Sequence, residues 1–316
     1  MVSRLLPRQK CTILLPVRNG DAYIHNSMQN LREIAGPFDE ILVLNDGSTD
    51  STSSILSEIQ KIDSRIVIIN LPPSGLVVTL NAGIELAKND YIARADVDDL
   101  YSLERLNLQI EVLESNPRVA AVFSDYTFWS DSNLNLGYMA TAVTASATRL
   151  SIADGFRTPH PSVMFSKSKA MSVGGYRSEE FPAEDLGLWI RLASNFELAT
   201  VPMPLLDYRI NPTGITSSRK LEMISKRNAL LATLDYRELI STNIDSYNEY
   251  KIMCAGKSHQ YDRLALHNFD LFLCIIRGEL HPIHRVFLVF RVGCRFANLK
   301  VLIAFVGLIS DRRRRK

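Results

Sequence analysis

Cysteine is scarce in this chain. Four cysteines in 316 residues (Cys11, Cys254, Cys274, Cys294) form no CxxC pair and have no close histidine partner. That spacing gives no basis for a zinc site or a disulfide framework, and it points to a reducing, cytosolic compartment. Long apolar runs are missing too: no stretch of about 18–20 uncharged apolar residues exists, so no simple membrane span is expected. The opening residues MVSRLLPRQK lack the apolar segment of a secretory signal. There is no fixed-period repeat and no low-complexity tract, and nucleic acid is not an expected partner.

What is present describes a globular chain. Hydrophobic residues make up 46% and charged residues 22%, enough for a substantial core. The net charge of +2 is unevenly spread. Residues 281–316 hold nine Lys and Arg against one acid, Asp311, a net of +8, which leaves −6 on the rest. Such a tail suits an anionic partner. Arg285, Arg291, Arg295 and Lys300 fit within half of a helical wheel, so a basic amphipathic helix on an anionic membrane surface is one reading. A terminal helical hairpin packed on the body is the other.

Apolar runs of strand length recur at CTILLPV (11–17), EILVLND (40–46), RIVIINL (65–71), YIARAD (91–96) and VAAVFSD (119–125). Being apolar on both faces, they suit a sheet covered on both sides. Helical patterns separate them, beginning near Asp21, in STDSTSSILSEIQKI with several Ser, Thr and Asp candidates for its cap, in GLVVTLNAGIELAK and in SLERLNLQIEVLES. The alternation predicts a doubly wound, mostly parallel α/β sheet with helices on both faces. Residues 126–160 read as a loop-containing insertion and PSVMFSK as a further strand. AEDLGLWIRLASN is a helix burying Leu186, Trp189, Ile190 and Ala193, and beyond ELATVP and LLDYRI the pattern is helical. We divide the chain into 1–215, the α/β domain, and 216–316, a helical extension ending in the basic tail. In open α/β sheets ligands bind beyond the carboxyl ends of strands, and Asn19, Asp46 and Asp96 all fall there.

The densest signal is YIARADVDDL, which sets Asp96, Asp98 and Asp99 within four positions after a strand. A divalent cation would offset their repulsion. Mn²⁺ and Mg²⁺ take oxygen ligands, and Mg²⁺ commonly borrows one or two carboxylates and completes its shell with substrate phosphates. The alternative is an acidic loop leading into the helix that starts near Ser102. A haloacid-type phosphatase also uses D-x-D, but it wants Thr or Val where Leu100 stands.

LPVRNG, LNDGSTD, GLVVTLNAGI, YIARADVDDL, RTPHPSVMF, GGY, AEDLGLWIRL and DYRI follow one another in this order. Together they resemble the family 2 glycosyltransferases of the GT-A fold over about residues 10–215. Leu80-Asn81 and Ala93-Arg94 look like the subgroup of bacterial capsule and O-antigen pathways. The resemblance implies that Pro16, Val17, Arg18 and Asn19 line a nucleotide base pocket. Family members often have Thr-Tyr where this chain has Val17-Arg18. Asp46 matches the acid that accepts a hydrogen bond from uracil, while Asn45 replaces the acid usually before it. Asp96 and Asp98 match the D-x-D that holds metal and donor sugar, with Asp99 extending the cluster, and Asp185 matches the general base. Glu184 is either an acceptor contact or a helix N-terminal acid favoured by the macrodipole.

Other residues stay open between substrate contact and structural role: His160 on the acceptor side, Arg94 offsetting the acids or touching diphosphate, and Arg209 reaching the diphosphate. Arg191 could simply pair with Asp185, Trp189 reads as core, and Gly174-Gly175 as a turn. The implied activity is metal-dependent (Mn²⁺ or Mg²⁺) inverting transfer of one sugar from a nucleotide-sugar, UDP-sugar favoured, to a lipid-linked saccharide at the inner face of the cytoplasmic membrane. The Q-x-x-R-W motif of processive synthases is absent. A sugar nucleotidyltransferase is the alternative enzyme, though LPVRNGDAY lacks its Gly-rich basic loop. A non-catalytic glycan-binding or scaffold protein is the third reading.

Overall fold

The computed structural model describes residues 8–129, 135–139, 141, 158–211 and 214–233. The basic tail, with both readings made of it, lies outside them. Strands β1 (Cys11–Val17), β2 (Glu40–Asp46), β3 (Ile66–Leu71) and β4 (Tyr91–Arg94) alternate with helices α1 (Ile24–Ile34), α2 (Thr52–Gln60) and α3 (Leu76–Leu86). Then come β5 (Leu100–Tyr101), α4 (Arg105–Ser115), β6 (Val119–Trp129) and β7 (Asn135–Met139). A 3₁₀ turn (His160–Ser162) leads into β8 (Met164–Ser166) and α5 (Lys167–Ser172). A second 3₁₀ turn (Ser178–Glu180) precedes α6 (Glu184–Asn195), β9 (Glu197–Arg209), α7 (Ile215–Ser218) and α8 (Lys220–Ala232).

One mixed sheet runs in the order β3-β2-β1-β4-β8-β6-β9-β5, with β7 paired to β6. β1, β2, β3 and β4 pair in parallel, as do β6 and β9, while β8, β5 and β7 join antiparallel. The doubly wound α/β sheet expected from the alternation is therefore present, and its parallel half is the part that βαβ connections build.

The apolar runs are explained by two cores. Ile13, Leu15, Ile41 and Val43 face one, with Ile24, Met28 and Leu31 of α1 and Leu56 of α2. Leu14, Leu42 and Leu44 face the other, with Val77, Leu80 and Ile84 of α3 and Trp189 of α6. The strand period of two sends successive residues to opposite faces, so a strand covered on both sides must be apolar throughout. Full burial of each such side chain is worth roughly 1.5–3 kcal/mol. Gly83 lets α3 approach: a Cβ there would lie 2.3 Å from Leu14 Cδ1. Leu231 of α8 also enters the second core.

Four local differences from the sequence reading have physical causes. α1 starts at Ile24 rather than Asp21, after a turn in which the Tyr23 and Ile24 amides both donate to the Gly20 carbonyl (3.0 and 2.9 Å). β4 ends at Arg94, where the Asp96 N–H turns away to donate to the Tyr101 hydroxyl (2.8 Å). β6 runs on to Trp129 and β7 follows, inside the stretch read as an insertion. ELATVP and LLDYRI form one strand, β9, whose register against β6 shifts between Ser124 and Tyr126. Pro204, which cannot donate to the ladder, sits at that shift.

Candidate active site

Because β1, β2 and β4 are parallel, their carboxyl ends lie on one edge of the sheet, and two loops there are bound to each other. The backbone N–H groups of Asn19, Gly20 and Asp21 donate to Ser48 Oγ (2.9 Å), Thr52 Oγ1 (2.8 Å) and Asp50 Oδ2 (3.1 Å). In return Thr49 N–H donates to Asn19 Oδ1 (2.8 Å). Asn19 adopts φ 52°, the left-handed region that asparagine tolerates better than most residues. Pro16 and Val17 are buried in β1, whereas Arg18 and Asn19 are exposed at the edge. The Ser/Thr/Asp cluster, read from sequence as helix caps, is thus largely a brace for the first loop. Asn45 belongs to the same brace: its Nδ2 donates to Ser53 Oγ (2.7 Å) and Asn70 Oδ1 (2.9 Å). Asp46 is buried, and its Oδ1 and Oδ2 accept from the Ser74 (2.6 Å) and Gly75 (3.0 Å) amides. Those bonds hold the loop before α3 against β2, and each oxygen keeps a further lone pair.

The acid cluster is gripped from three sides. Val97, between the acids, packs so closely on the first loop that a Cβ on Gly20 would lie 3.1 Å from Val97 Cγ2. From β9, Arg209 Nε donates to the Asp98 carbonyl (3.0 Å) and Arg209 N–H to Asp99 Oδ1 (2.8 Å). Asn211 Nδ2 donates to Asp98 Oδ2 (3.0 Å). The Arg209 guanidinium also stacks 5.5 Å from the Tyr23 ring centroid, bridging to the entry of α1. Beneath the cluster, the Asn30 side chain pairs with both backbone groups of Tyr101 (2.8 and 3.0 Å), standing in for a neighbouring strand. Arg105, fully buried, lies 4.3 Å over the Tyr101 ring. Its Nη2 donates to the carbonyls of Arg94 (2.8 Å) and Val163 (3.0 Å), tying the D-x-D strand to the His160 segment.

The chemistry of these acids fits a hard cation. Burial, and then the charge of Asp96, raise the Asp98 carboxyl above its ordinary value. Asp99 is buried, and among the described residues its Oδ2 has no hydrogen-bond partner. Among the described residues no three His, Cys, Asp or Glu side chains form an all-protein metal cage.

Arg94 links this cluster to the far side of the site. It is buried and its Nη1 forms a short ion pair with Asp96. Burial opposes its charge, but Asp96 outweighs that and holds it protonated. Its charge is felt by Asp98, Asp99, His160, Glu184 and Asp185. Glu184 and Asp185 open α6, where the helix N-terminus favours negative charge. Even so, burial and then Asp185 push Glu184 up to about 8, and burial raises Asp185. Leu186 N–H donates to Asp185 Oδ1 (2.7 Å). Burial thus makes the ionised form of both adjacent carboxyls costly, the more so for Glu184 beside Asp185.

His160 Nε2 lies 2.7 Å from the Tyr176 hydroxyl, and burial, then Arg94, keep its imidazole neutral. Arg191 does not pair with Asp185: it forms an ion pair with Glu180 and donates to the Val173 and Gly175 carbonyls. That pairing requires Gly187, where a Cβ would lie 2.1 Å from Glu180 Oε2. Trp189 is core, fully buried and edge-on to Phe123. Gly174 and Gly175 make a turn, both at positive φ.

The structure thus gathers Asp96, Asp98, Asp99, Arg94, Glu184, Asp185, His160 and Arg209 about one region, with Pro16–Asn19 and Asp46 at the adjoining carboxyl ends of β1 and β2. The sequence reading missed Asn30, Tyr101, Arg105 and Asn211, and gave no separate role to Tyr176. Asn211, two residues beyond Arg209, was the easiest of these to find.

Comparison with known proteins agrees with the geometry. The model of glycosyl transferase family 2 matches residues 12–172. An uncharacterised glycosyltransferase of Methanocaldococcus jannaschii is 27% identical over 195 residues, covering 60% of this chain and 67% of the relative. The putative teichuronic acid biosynthesis glycosyltransferase TuaG of Bacillus subtilis is 32% identical over 103 residues, 32% of this chain and 41% of TuaG. An uncharacterised glycosyltransferase of Haemophilus influenzae is matched over only 35% of its own length. Among solved structures, S. aureus TarS 1–349 in complex with UDP-GlcNAc superposes with a TM-score of 0.57 at 17% identity, covering 72% of this chain and 68% of that one. The mannosyltransferase PcManGT of Pyrobaculum calidifontis, in complex with GDP-Man and Mn²⁺, gives 0.56 at 16% identity over 90% and 84%. With its family model spanning half of the sequence and its sheet edge carrying the site described above, the chain belongs to the family 2 glycosyltransferases.

Proposed function

We propose that the protein is an inverting, metal-dependent glycosyltransferase that moves one sugar from a UDP-sugar to a hydroxyl of a lipid-linked saccharide in cell-surface polysaccharide synthesis. The observation that carries this reading is the convergence of Asp96 and Asp98, after β4, with Asp185, at the start of α6, around the buried cation Arg94.

The residues divide the work. Pro16–Asn19 and Asp46 receive the nucleotide. Asp96 and Asp98 hold the metal, which when bound supplies Lewis-acid stabilisation of the charge on the departing diphosphate. Arg209, anchored on the Asp98 carbonyl, meets the diphosphate. Asp185 takes the proton of the attacking hydroxyl. Attack opposite the leaving group needs one base and no covalent intermediate, so the anomeric centre inverts. TuaG's name supports a cell-envelope polysaccharide pathway, and the TarS and PcManGT complexes support a nucleotide-sugar donor and a divalent ion.

A screen of UDP-, dTDP- and GDP-sugars for nucleotide release, with and without Mn²⁺, tests the reading. We expect Mn²⁺-dependent release from a UDP-sugar. Release from GDP-sugars alone would move the donor class, and no release from any would favour a binding or scaffold role. The membrane contact is tested separately by vesicle flotation. Deleting residues 281–316 should strongly weaken binding to anionic vesicles, each basic residue contributing roughly 1 kcal/mol near the surface. Equal flotation of intact and truncated protein would exclude that dock.

A further inference from the structure

Three residues of the site are chained together in a way the transfer reaction alone does not require. Asn81, in the middle of α3, pairs its side-chain amide with both backbone groups of Tyr176. Its Nδ2 donates to the Tyr176 carbonyl (2.8 Å), and the Tyr176 N–H donates to Oδ1 (2.9 Å). Turning the amide over would set donor against donor and acceptor against acceptor, so its orientation is fixed. The approach is close: Gly175 has φ +61°, and a Cβ there would lie 2.8 Å from Asn81 Oδ1. Tyr176 is pinned by this clamp and is 2% exposed. Its hydroxyl lies 2.7 Å from His160 Nε2, and His160 in turn packs edge-on to Trp189, centroids 5.9 Å apart. The phenol feels the charges of Arg94, Asp185, Glu184 and Asp96, which places it between the carboxyl pair on α6 and the end of β4.

Proton accounting fixes the direction of the Tyr176–His160 bond. The Tyr176 phenol is held protonated by burial. The imidazole is held neutral by burial and by Arg94. Among the described residues, the only acceptor beside the phenol O–H is His160 Nε2. A buried hydroxyl proton finds an acceptor where one is in reach. The phenol therefore donates to Nε2, and the single imidazole proton resides on Nδ1, an atom with no partner among the described residues.

We propose that Asn81, Tyr176 and His160 form a positioning chain that holds His160 in its Nδ1–H tautomer, with Nδ1 donating a hydrogen bond to a hydroxyl oxygen of the acceptor sugar. The proposal rests on the glycosyl-transfer reading of this site. A neutral donor suits the place: it orients an acceptor hydroxyl without competing with Asp185 for the proton. An imidazolium would instead sit unpaired within reach of Arg94.

The test is ¹⁵N NMR of the full chain labelled at histidine and saturated with UDP and diamagnetic Mg²⁺, the His160 signals being identified by their loss in His160→Gln. We expect a protonated Nδ1 and a bare Nε2 between about pH 5.5 and 8. Tyr176→Phe removes one oxygen and should convert His160 to a mixture containing the Nε2–H form. Asn81→Ala, which leaves the phenol in place but unclamped, should give the same mixture. Methyl glycosides of common hexoses and N-acetylhexosamines then serve as acceptor probes. At least one should shift the Nδ1 resonance, and its affinity should fall about 2–10-fold in Tyr176→Phe, the worth of one hydrogen bond, while UDP affinity stays unchanged. An Nε2–H tautomer in the unaltered protein, a tautomer indifferent to both substitutions, or no glycoside that shifts Nδ1 would each overturn the proposal. The tautomer is read without turnover, so absence of sugar transfer would count against the glycosyl-transfer reading and leave this result distinct.

Discussion

Asp185→Asn should bind UDP within a few-fold of the unaltered protein yet lose sugar transfer by about 10²–10⁴-fold, the usual contribution of general-base catalysis. The substitution is nearly isosteric. Its amide oxygen can still accept from the Leu186 N–H that now donates to Asp185 Oδ1, so α6 keeps its first turn. What is lost is the capacity to take a proton. The pH dependence adds a second readout. Burial raises Asp185, and burial together with Asp185 pushes Glu184 to about 8. The base works only when ionised, so the rate should rise with pH through the titration of the pair, at higher pH than an exposed carboxylate would require. Because the two carboxyls interact, the profile reports values belonging to the pair. In Asp185→Asn that acid limb should vanish from whatever activity remains. A variant that keeps more than about a tenth of the rate would remove Asp185 from the role of base.

Asp98→Ala should also cut turnover by orders of magnitude, and for a different reason. Asp98 is held by Asn211 and, through its carbonyl, by Arg209, while burial and Asp96 resist its ionisation. Removing it relieves a repulsion, so the metal-free fold should not become less stable. The consequence should appear in ligand linkage. A protein that binds Mn²⁺ only when folded gains about 2.7 kcal/mol at a hundredfold excess over Kd. We expect Mn²⁺ with UDP to raise the melting temperature of the unaltered protein and to leave that of Asp98→Ala nearly unmoved. EDTA should abolish activity in the unaltered protein and Mn²⁺ should restore it. Full activity in chelator would end the metal assignment.

Much of the frame was legible because its causes are local. A strand buried on both faces must be apolar at every position, and CTILLPV and EILVLND occur in the fold as the strands Cys11–Val17 and Glu40–Asp46. Charge at a strand end is also visible in one dimension, so Asp46, Asp96, Asp98 and Asp99 stood out, whereas Asp185 and Glu184 were singled out through the family resemblance of AEDLGLWIRL. Where a short segment takes its structure from a distant partner, periodicity says nothing. β5 is two residues long and exists through Leu206 and Asp207 of β9 and the Asn30 side chain. β9 looked like two segments because its bulge, opposite Ser124 and Asp125, is set by β6. The braces of the first loop looked like helix caps because Ser, Thr and Asp serve either purpose.

By itself, then, the sequence determined the alternation of strands and helices from β1 to β4 and the acids near the strand ends, both of which follow from hydrophobic period and charge within a few residues. The tertiary structure alone decided the pairings: Arg191 with Glu180 rather than Asp185, Asp46 with the Ser74 and Gly75 amides, Arg105 with the Arg94 and Val163 carbonyls, and Tyr176 between Asn81 and His160. The physical reason is that a hydrogen bond or ion pair is settled by distance and burial in three dimensions. A buried polar side chain takes whichever partner the packed backbone brings within about 3 Å, and most of these partners lie on other elements, far away along the chain.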